Sequence, residues 1–156
     1  MQTSTIRELT LTRIFDAPRE MVFRAWTDPH LVAAWWGPQE FTNPVCELDA
    51  RPGGAILIHM RAPDGTIYTM TGHFEEVVPP ERLVFFSAAF VDDPQDPFLE
   101  NRNTVTFTDL GGKTQVTLQV VVLKATEAAT VPLSGMEAGW SQSLVKLAGL
   151  LKGNAA

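Results

Sequence analysis

The feature that most constrains the fold is a stripe of large apolar residues near the end of the 156-residue chain. Its members follow one another at spacings of four, four, three and four residues, which defines one face of an amphipathic helix: Met136, Trp140, Leu144, Leu147 and Leu151. We predict this helix over about residues 128–151, with Pro132 and Gly135 delaying or bending its start. A helix of roughly 18–24 residues is ~27–36 Å long, so it must lie across a sheet.

The region from Phe41 to about residue 123 predicts that sheet. Alternating apolar and polar residues, typical of half-buried strands, are separated there by sequences rich in glycine, proline and aspartate. These turn sequences occupy residues 51–54, 63–65, 78–81, 92–97 and 110–112. One strand over residues 6–15 and two short helices, the second beginning near Asp28, precede this antiparallel meander.

One hairpin can be given a register. A three-residue loop over 63–65, with glycine in the left-handed conformation, predicts three cross-strand pairs: Met60 with Tyr68, Ile58 with Met70, and Ile56 with Gly72. The apolar side chains then share one face, and a slip of one residue would scatter them. On the opposite face the register places His59 and His73 four rungs apart. Residues 83–90 are apolar on both sides, which is typical of a central strand but leaves its inward face unassigned.

Composition excludes several functions. The net charge is −6 and the 12 lysines and arginines are dispersed, so we expect no nucleic-acid partner. Cys46 is the only cysteine, and the first residues lack the apolar segment of a signal peptide, which favours a reducing cytoplasm. No window approaches 18 apolar residues, so we expect no membrane span.

The order of elements resembles the START-like or SRPBCC superfamily, and within it the family named after the activator of the heat-shock-protein ATPase. The motifs that carry the resemblance are Arg13-Ile-Phe-Asp-Ala-Pro-Arg-Glu-Met-Val-Phe, Ala25-Trp-Thr-Asp-Pro, Trp35-Trp-Gly-Pro, Arg51-Pro-Gly-Gly, Gly72-His-Phe-Glu-Glu-Val-Val-Pro-Pro-Glu-Arg-Leu-Val-Phe and Gly139-Trp. The resemblance implies one α+β domain over 1–156 with the helix-grip fold. In that fold a curved antiparallel sheet of about seven strands, with two short helices, wraps a long C-terminal helix.

The resemblance also implies a cavity between the concave face of the sheet and the long helix. Aromatic residues and methionines suit such a pocket, because they present wide and adaptable surfaces to an apolar or aromatic ligand. Nine residues are predicted to line it: Trp35, Trp36, Phe41, Met60, Tyr68, Met70, Phe107, Met136 and Trp140. The alternative is that the same residues simply fill a core.

Other reactive residues do not form a recognisable catalytic or metal-binding pattern. His30, His59 and His73 lack the spacing of a metal site, and Cys46 has no neighbouring base and is interpreted as a packed thiol. Glu76 shares the alternation of Tyr68 and could reach the cavity mouth, although the ordinary interpretation is a carboxylate at the end of a strand. We therefore predict no catalytic residue, metal or cofactor.

Three functions remain open. The leading hypothesis is a domain that binds a hydrophobic small molecule without catalysis. An enzyme resembling polyketide cyclases or dehydratases would need a polar group in the cavity, for which Tyr68, Glu76 and Arg13 are the candidates. A co-chaperone module follows from the family name. Homodimerisation through the outer face of the hairpin or the exposed loops is also left open.

Overall fold

The computed structural model describes residues 8–126 and 136–155. Its elements are β1 (Glu8–Phe15), α1 (Arg19–Thr27), α2 (Pro29–Trp35), β2 (Thr42–Leu48), β3 (Ala55–Arg61), β4 (Ile67–Val78), β5 (Arg82–Phe90), β6 (Leu99–Asp109), β7 (Thr114–Ala125) and α3 (Met136–Ala155). This order confirms the predicted fold of seven strands, two short helices and a long C-terminal helix.

The seven strands form one antiparallel sheet in the order β1-β7-β6-β5-β4-β3-β2. Strands β2 to β7 are a meander in which each strand pairs with the next, while β1 pairs with β7 and completes the far edge. Strand β5 lies in the middle, which confirms the interpretation of residues 83–90 as a central strand. Its inward side chains begin with Leu83 and Phe85, both of which are buried.

The β3–β4 hairpin has the predicted register. Met60 pairs with Tyr68, and Ile58 with Met70. Gly65 adopts a φ of 91°, the left-handed conformation that the turn requires. The alternation therefore places the buried Ile58 and Met70 on the concave face, together with Met60 and Tyr68.

A β-bulge in β4 changes the face of one predicted site residue. Phe74 pairs with Phe85, but the next pair joins Glu76 to Val84, so β4 carries one extra residue between them. Such an insertion reverses the alternation of side chains beyond it. The prediction that Glu76 reaches the cavity mouth is therefore wrong: its carboxylate lies on the outer surface and accepts a 3.0 Å hydrogen bond from Arg82.

The short helices lie between β1 and β2 in the chain and help to cover the concave face. Helix α2 begins where predicted, because the Asp28 side chain accepts a 2.9 Å hydrogen bond from the backbone N–H of His30 and Pro29 occupies the first helical position. Trp26 of α1 and Trp35 of α2 both bury their side chains in the core.

Helix α3 covers the sheet with the predicted stripe. Leu144, Leu147 and Leu151 are each at most 2% exposed and pack into the core. Earlier in the same stripe, Met136 and Trp140 are only partly buried. The predicted helical residues 128–135 lie outside the described part of the chain.

Truncation of the stripe should unfold the protein more easily. We expect Leu147→Ala to lower the free energy of unfolding by about 2–5 kcal/mol, because it removes a fully buried side chain and leaves a cavity. The matched control is Val145→Ala, since Val145 is 61% exposed on the same helix and its truncation should change stability by at most ~0.5 kcal/mol. Urea denaturation measures both, and equal effects would contradict this packing of α3.

Candidate functional site

A cavity of about 740 Å³ lies between the sheet and the N-terminal part of α3. Its walls come from β3 to β6, from the segment that follows α2, and from the first turns of α3. Seven of the nine residues predicted to line it do so: Trp36, Phe41, Met60, Tyr68, Met70, Met136 and Trp140. The fold thus places residues more than one hundred positions apart in the sequence around one cavity.

The other two predicted residues, Trp35 and Phe107, lie in the packed core and do not line the cavity. Trp35 is fully buried, and its indole N–H donates a 2.8 Å hydrogen bond to the backbone carbonyl of Ala25. Phe107 is 2% exposed and packs edge-on against Phe23 at a ring-centroid distance of 5.2 Å. Both side chains serve packing.

The hollow exists because the inward side chains become smaller along the two central strands. On β5 the inward series changes from Leu83 and Phe85 to Ser87 and Ala89. On β6 the inward series changes from Phe107 and Val105 to Asn103 and Asn101, and the change begins one row earlier because Asn103 lies opposite Phe85. Small and polar side chains cannot span the distance to the helix, so one half of the concave face is unfilled.

These small and polar lining residues were missed by the sequence predictions. The sequence signal for them is that the side chains at alternate positions of β5 become smaller along the strand. This signal can be recognised only when the inward face of β5 is known. The lining residues that were not predicted are Gly37, Pro38, Ser87, Ala89, Val91, Phe98, Leu99, Asn101, Asn103, Gly139 and Ser143.

Tryptophan side chains separate the two halves of the concave face, one of which lines the cavity while the other is packed as the core. The ring of Trp140 stacks on Trp26 at 6.0 Å and meets Trp36 edge-on at 5.2 Å. Beyond this wall the core is filled, and the void found there measures only about 10 Å³. Trp36 borders both spaces, so its ring forms part of the boundary.

The segment after α2 is fastened to α3 at the rim of the cavity. The Ser143 hydroxyl donates a 2.8 Å hydrogen bond to the carbonyl of Gly37, and the Lys146 ammonium donates to the carbonyls of Gly37 and Pro38 at 3.2 Å. The backbone N–H of Gln39 donates to the side chain of Gln142 at 3.0 Å. Burial lowers the pKa of Lys146. This part of the wall is therefore held in place by side chains of the helix that it faces.

The polar groups of the cavity are neutral. Asn103 is 2% exposed, and its amide donates to the Ser87 hydroxyl at 3.0 Å and to the Phe85 carbonyl at 3.3 Å. The side-chain oxygen of Asn101 is buried and accepts no hydrogen bond. Among the described lining residues, Tyr68 is the only one with an ionisable side chain.

The remaining reactive residues lie away from the cavity. Arg13 is exposed and donates a 3.2 Å hydrogen bond to the Ser141 hydroxyl. His59 lies opposite Thr69, four rungs from His73, as predicted, and His73 is stacked on Phe86. Within residues 8–126 and 136–155, no group of three histidine, cysteine, aspartate or glutamate side chains is placed to hold a metal ion.

The family model described as "Activator of Hsp90 ATPase homolog 1-like protein" matches residues 16–152. The chain belongs to this family. The match spans the described elements from α1 to most of α3, including every described wall of the cavity. This match confirms the family, and with it the fold, that the sequence motifs predicted.

Solved structures similar to the chain have the same architecture. Protein NE0264 from Nitrosomonas europaea is 26% identical with a TM-score of 0.81, over 95% of this chain and 96% of that one. Protein CV1439 from Chromobacterium violaceum is 30% identical with a TM-score of 0.77, over 92% and 96%. The AHSA1 protein SPO3351 from Silicibacter pomeroyi is 26% identical with a TM-score of 0.77, over 94% and 98%. No curated protein matches the chain significantly.

None of the described helices combines the length and the apolar character needed to cross a bilayer.

Cys46 should behave as a packed thiol. It lies on β2 opposite Ile58, and burial, followed by the negative charge of Glu47, raises the pKa of the thiol to about 11. At pH 8 we expect iodoacetamide to alkylate the folded protein at least roughly a hundred-fold more slowly than the urea-unfolded chain, because so little thiolate is present. Below pH 11 the rate should rise about ten-fold per pH unit. Rapid alkylation of the folded protein at pH 8 would contradict this environment.

Proposed function

We propose that this protein binds a hydrophobic or aromatic small molecule in the cavity between its sheet and α3. The observation that carries the proposal is the volume of about 740 Å³, which lies within the range of ~300–1,000 Å³ of ordinary ligand sites. Most of the lining is apolar, so without a ligand this surface is left in contact with water, which costs free energy. An apolar ligand would remove that cost.

The character of the lining supports the same class of ligand. Met60, Met70 and Met136 contribute flexible thioether side chains that adapt to irregular apolar shapes. The Tyr68 ring lies 6.2 Å from that of Phe41 and 6.5 Å from that of Phe98, in tilted and edge-on arrangements. These rings offer faces and edges against which a planar ligand can pack.

The two alternative functions have less support. A cyclase-like enzyme needs acid–base groups at its substrate, yet of Tyr68, Glu76 and Arg13 only Tyr68 lines the cavity. A co-chaperone role follows from the family's description alone, and no described surface feature favours it. A cytoplasmic location, a single domain and homodimerisation stay predictions from the sequence.

Filling the cavity should abolish binding. We expect N-phenyl-1-naphthylamine, a neutral probe that fluoresces in apolar surroundings, to bind the wild-type protein, and Ala89→Phe to weaken that binding at least about ten-fold. Ala89 points into the cavity from β5, so the larger ring would occupy the probe's space. Fluorescence titration measures the affinity of both proteins.

The matched control is Ala88→Phe, the same substitution one residue earlier. Ala88 lies on the opposite face of β5, so this variant should bind the probe within about two-fold of wild type. Circular dichroism and thermal unfolding establish that both variants are folded. Equal binding by wild type and a folded Ala89→Phe variant, or no binding by wild type, would contradict the proposal.

A further inference from the structure

One wall of the cavity is polar in a way that core packing does not explain. Ser87, Asn101 and Asn103 lie on neighbouring strands where the alternation calls for inward residues. Asn103 lies opposite Phe85, and the next inward row, formed by Leu83 and Val105, is apolar. Burial of an amide or a hydroxyl costs free energy unless hydrogen bonds compensate for it.

Ser87 is the central member of this wall, and none of the described residues accepts a hydrogen bond from its hydroxyl. The side chain is 6% exposed, and its oxygen accepts the 3.0 Å hydrogen bond from the Asn103 amide. A hydroxyl has one proton to donate as well as lone pairs to accept with. Ser87 donates that proton to none of the described residues, while the Asn103 amide holds the hydroxyl oxygen in place. Asn103 therefore acts as a positioning residue that leaves the Ser87 proton for an occupant of the cavity.

The part of the cavity wall that the structure describes offers no counter-charge to an ionised ligand. No described lining residue is an aspartate, glutamate, lysine, arginine or histidine. Lys146 is the cation beside the rim, and its ammonium is directed at the Gly37 and Pro38 carbonyls. A buried carboxylate would lose its hydration without gaining a cation, which is strongly unfavourable.

We infer that the cavity selects an uncharged ligand whose apolar body carries one hydrogen-bond acceptor, a carbonyl or hydroxyl oxygen, directed at Ser87. This inference rests on the proposed function and narrows its ligand class. The methionine and aromatic walls accommodate the body, and the Ser87 hydroxyl donates to the acceptor. Asn101, whose side-chain oxygen accepts no hydrogen bond, adds a second polar group to the same wall.

Three probes with one aromatic body test the inference: naphthalene, 2-acetylnaphthalene and 2-naphthoate. Each is titrated against the wild-type protein by displacement of N-phenyl-1-naphthylamine and by calorimetry. We expect the ketone to bind about five-fold more tightly than naphthalene, as one ordinary hydrogen bond provides. The naphthoate should bind at least about ten-fold more weakly than the ketone, because its charge is uncompensated.

Ser87→Ala should remove the preference for the ketone. The affinity for the ketone should fall about five-fold, while the affinity for naphthalene should change by less than about two-fold. The control is Ser141→Ala, which removes a serine hydroxyl of α3 that lies outside the cavity and accepts a hydrogen bond from Arg13, so the ratio of ketone to naphthalene affinity should be unchanged. Thermal unfolding checks that each variant is folded.

The outcomes separate the two proposals. If naphthalene binds wild type but not Ala89→Phe, and the ketone shows no advantage or Ser87→Ala leaves that advantage intact, only the present inference is overturned. A preference for the naphthoate would overturn it as well. If no probe binds wild type, the proposed function fails and this inference fails with it.

Discussion

The structure depends on the burial of one helical stripe against the concave face of a sheet. Each fully buried leucine contributes about 1.5–3 kcal/mol relative to exposure, and Leu144, Leu147 and Leu151 are all buried by this single contact. The sheet in turn gains a cover for its inward apolar rows, which water would otherwise reach. Helix and sheet therefore stabilise each other, and the short helices α1 and α2 close the remaining side of the core.

The same contact accounts for the cavity. Helix α3 spans both halves of the concave face, but the inward residues of β5 and β6 include small and polar side chains in one half only. Where Leu83 and Val105 point inward the space is filled, and where Ser87 and Asn101 do so it is open. The stacked Trp26 and Trp140 rings mark the change between the two.

The periodic parts of the sequence predicted the fold well. Alternation gave the register of β3 with β4, and the spacing of Leu144, Leu147 and Leu151 gave the buried face of α3. Strand β5 was harder, because a strand that is apolar on both sides carries no alternation to orient it. For that reason Ser87 and Ala89 were overlooked as lining residues.

Two further errors have local causes. Glu76 points outward because β4 carries one extra residue, Glu75, before it. Two adjacent glutamates have the same polarity, so the alternation of polar and apolar residues does not reveal the bulge. Trp35 and Trp36 are neighbours with the same side chain, yet the last turn of α2 buries one in the core and leaves the other at the cavity. In both cases the direction of a side chain is decided by backbone geometry that composition does not encode.

The tryptophan wall divides the residues of the concave face into two sets. Side chains that hold the sheet to α3 lie on one side of the tryptophan wall, and most of those that shape the open space lie on the other. Substitutions at Ser87 or Ala89 can therefore alter what fits inside with little effect on the packing that maintains the fold. A scaffold divided in this way leaves evolution free to vary molecular recognition while its stability is inherited unchanged.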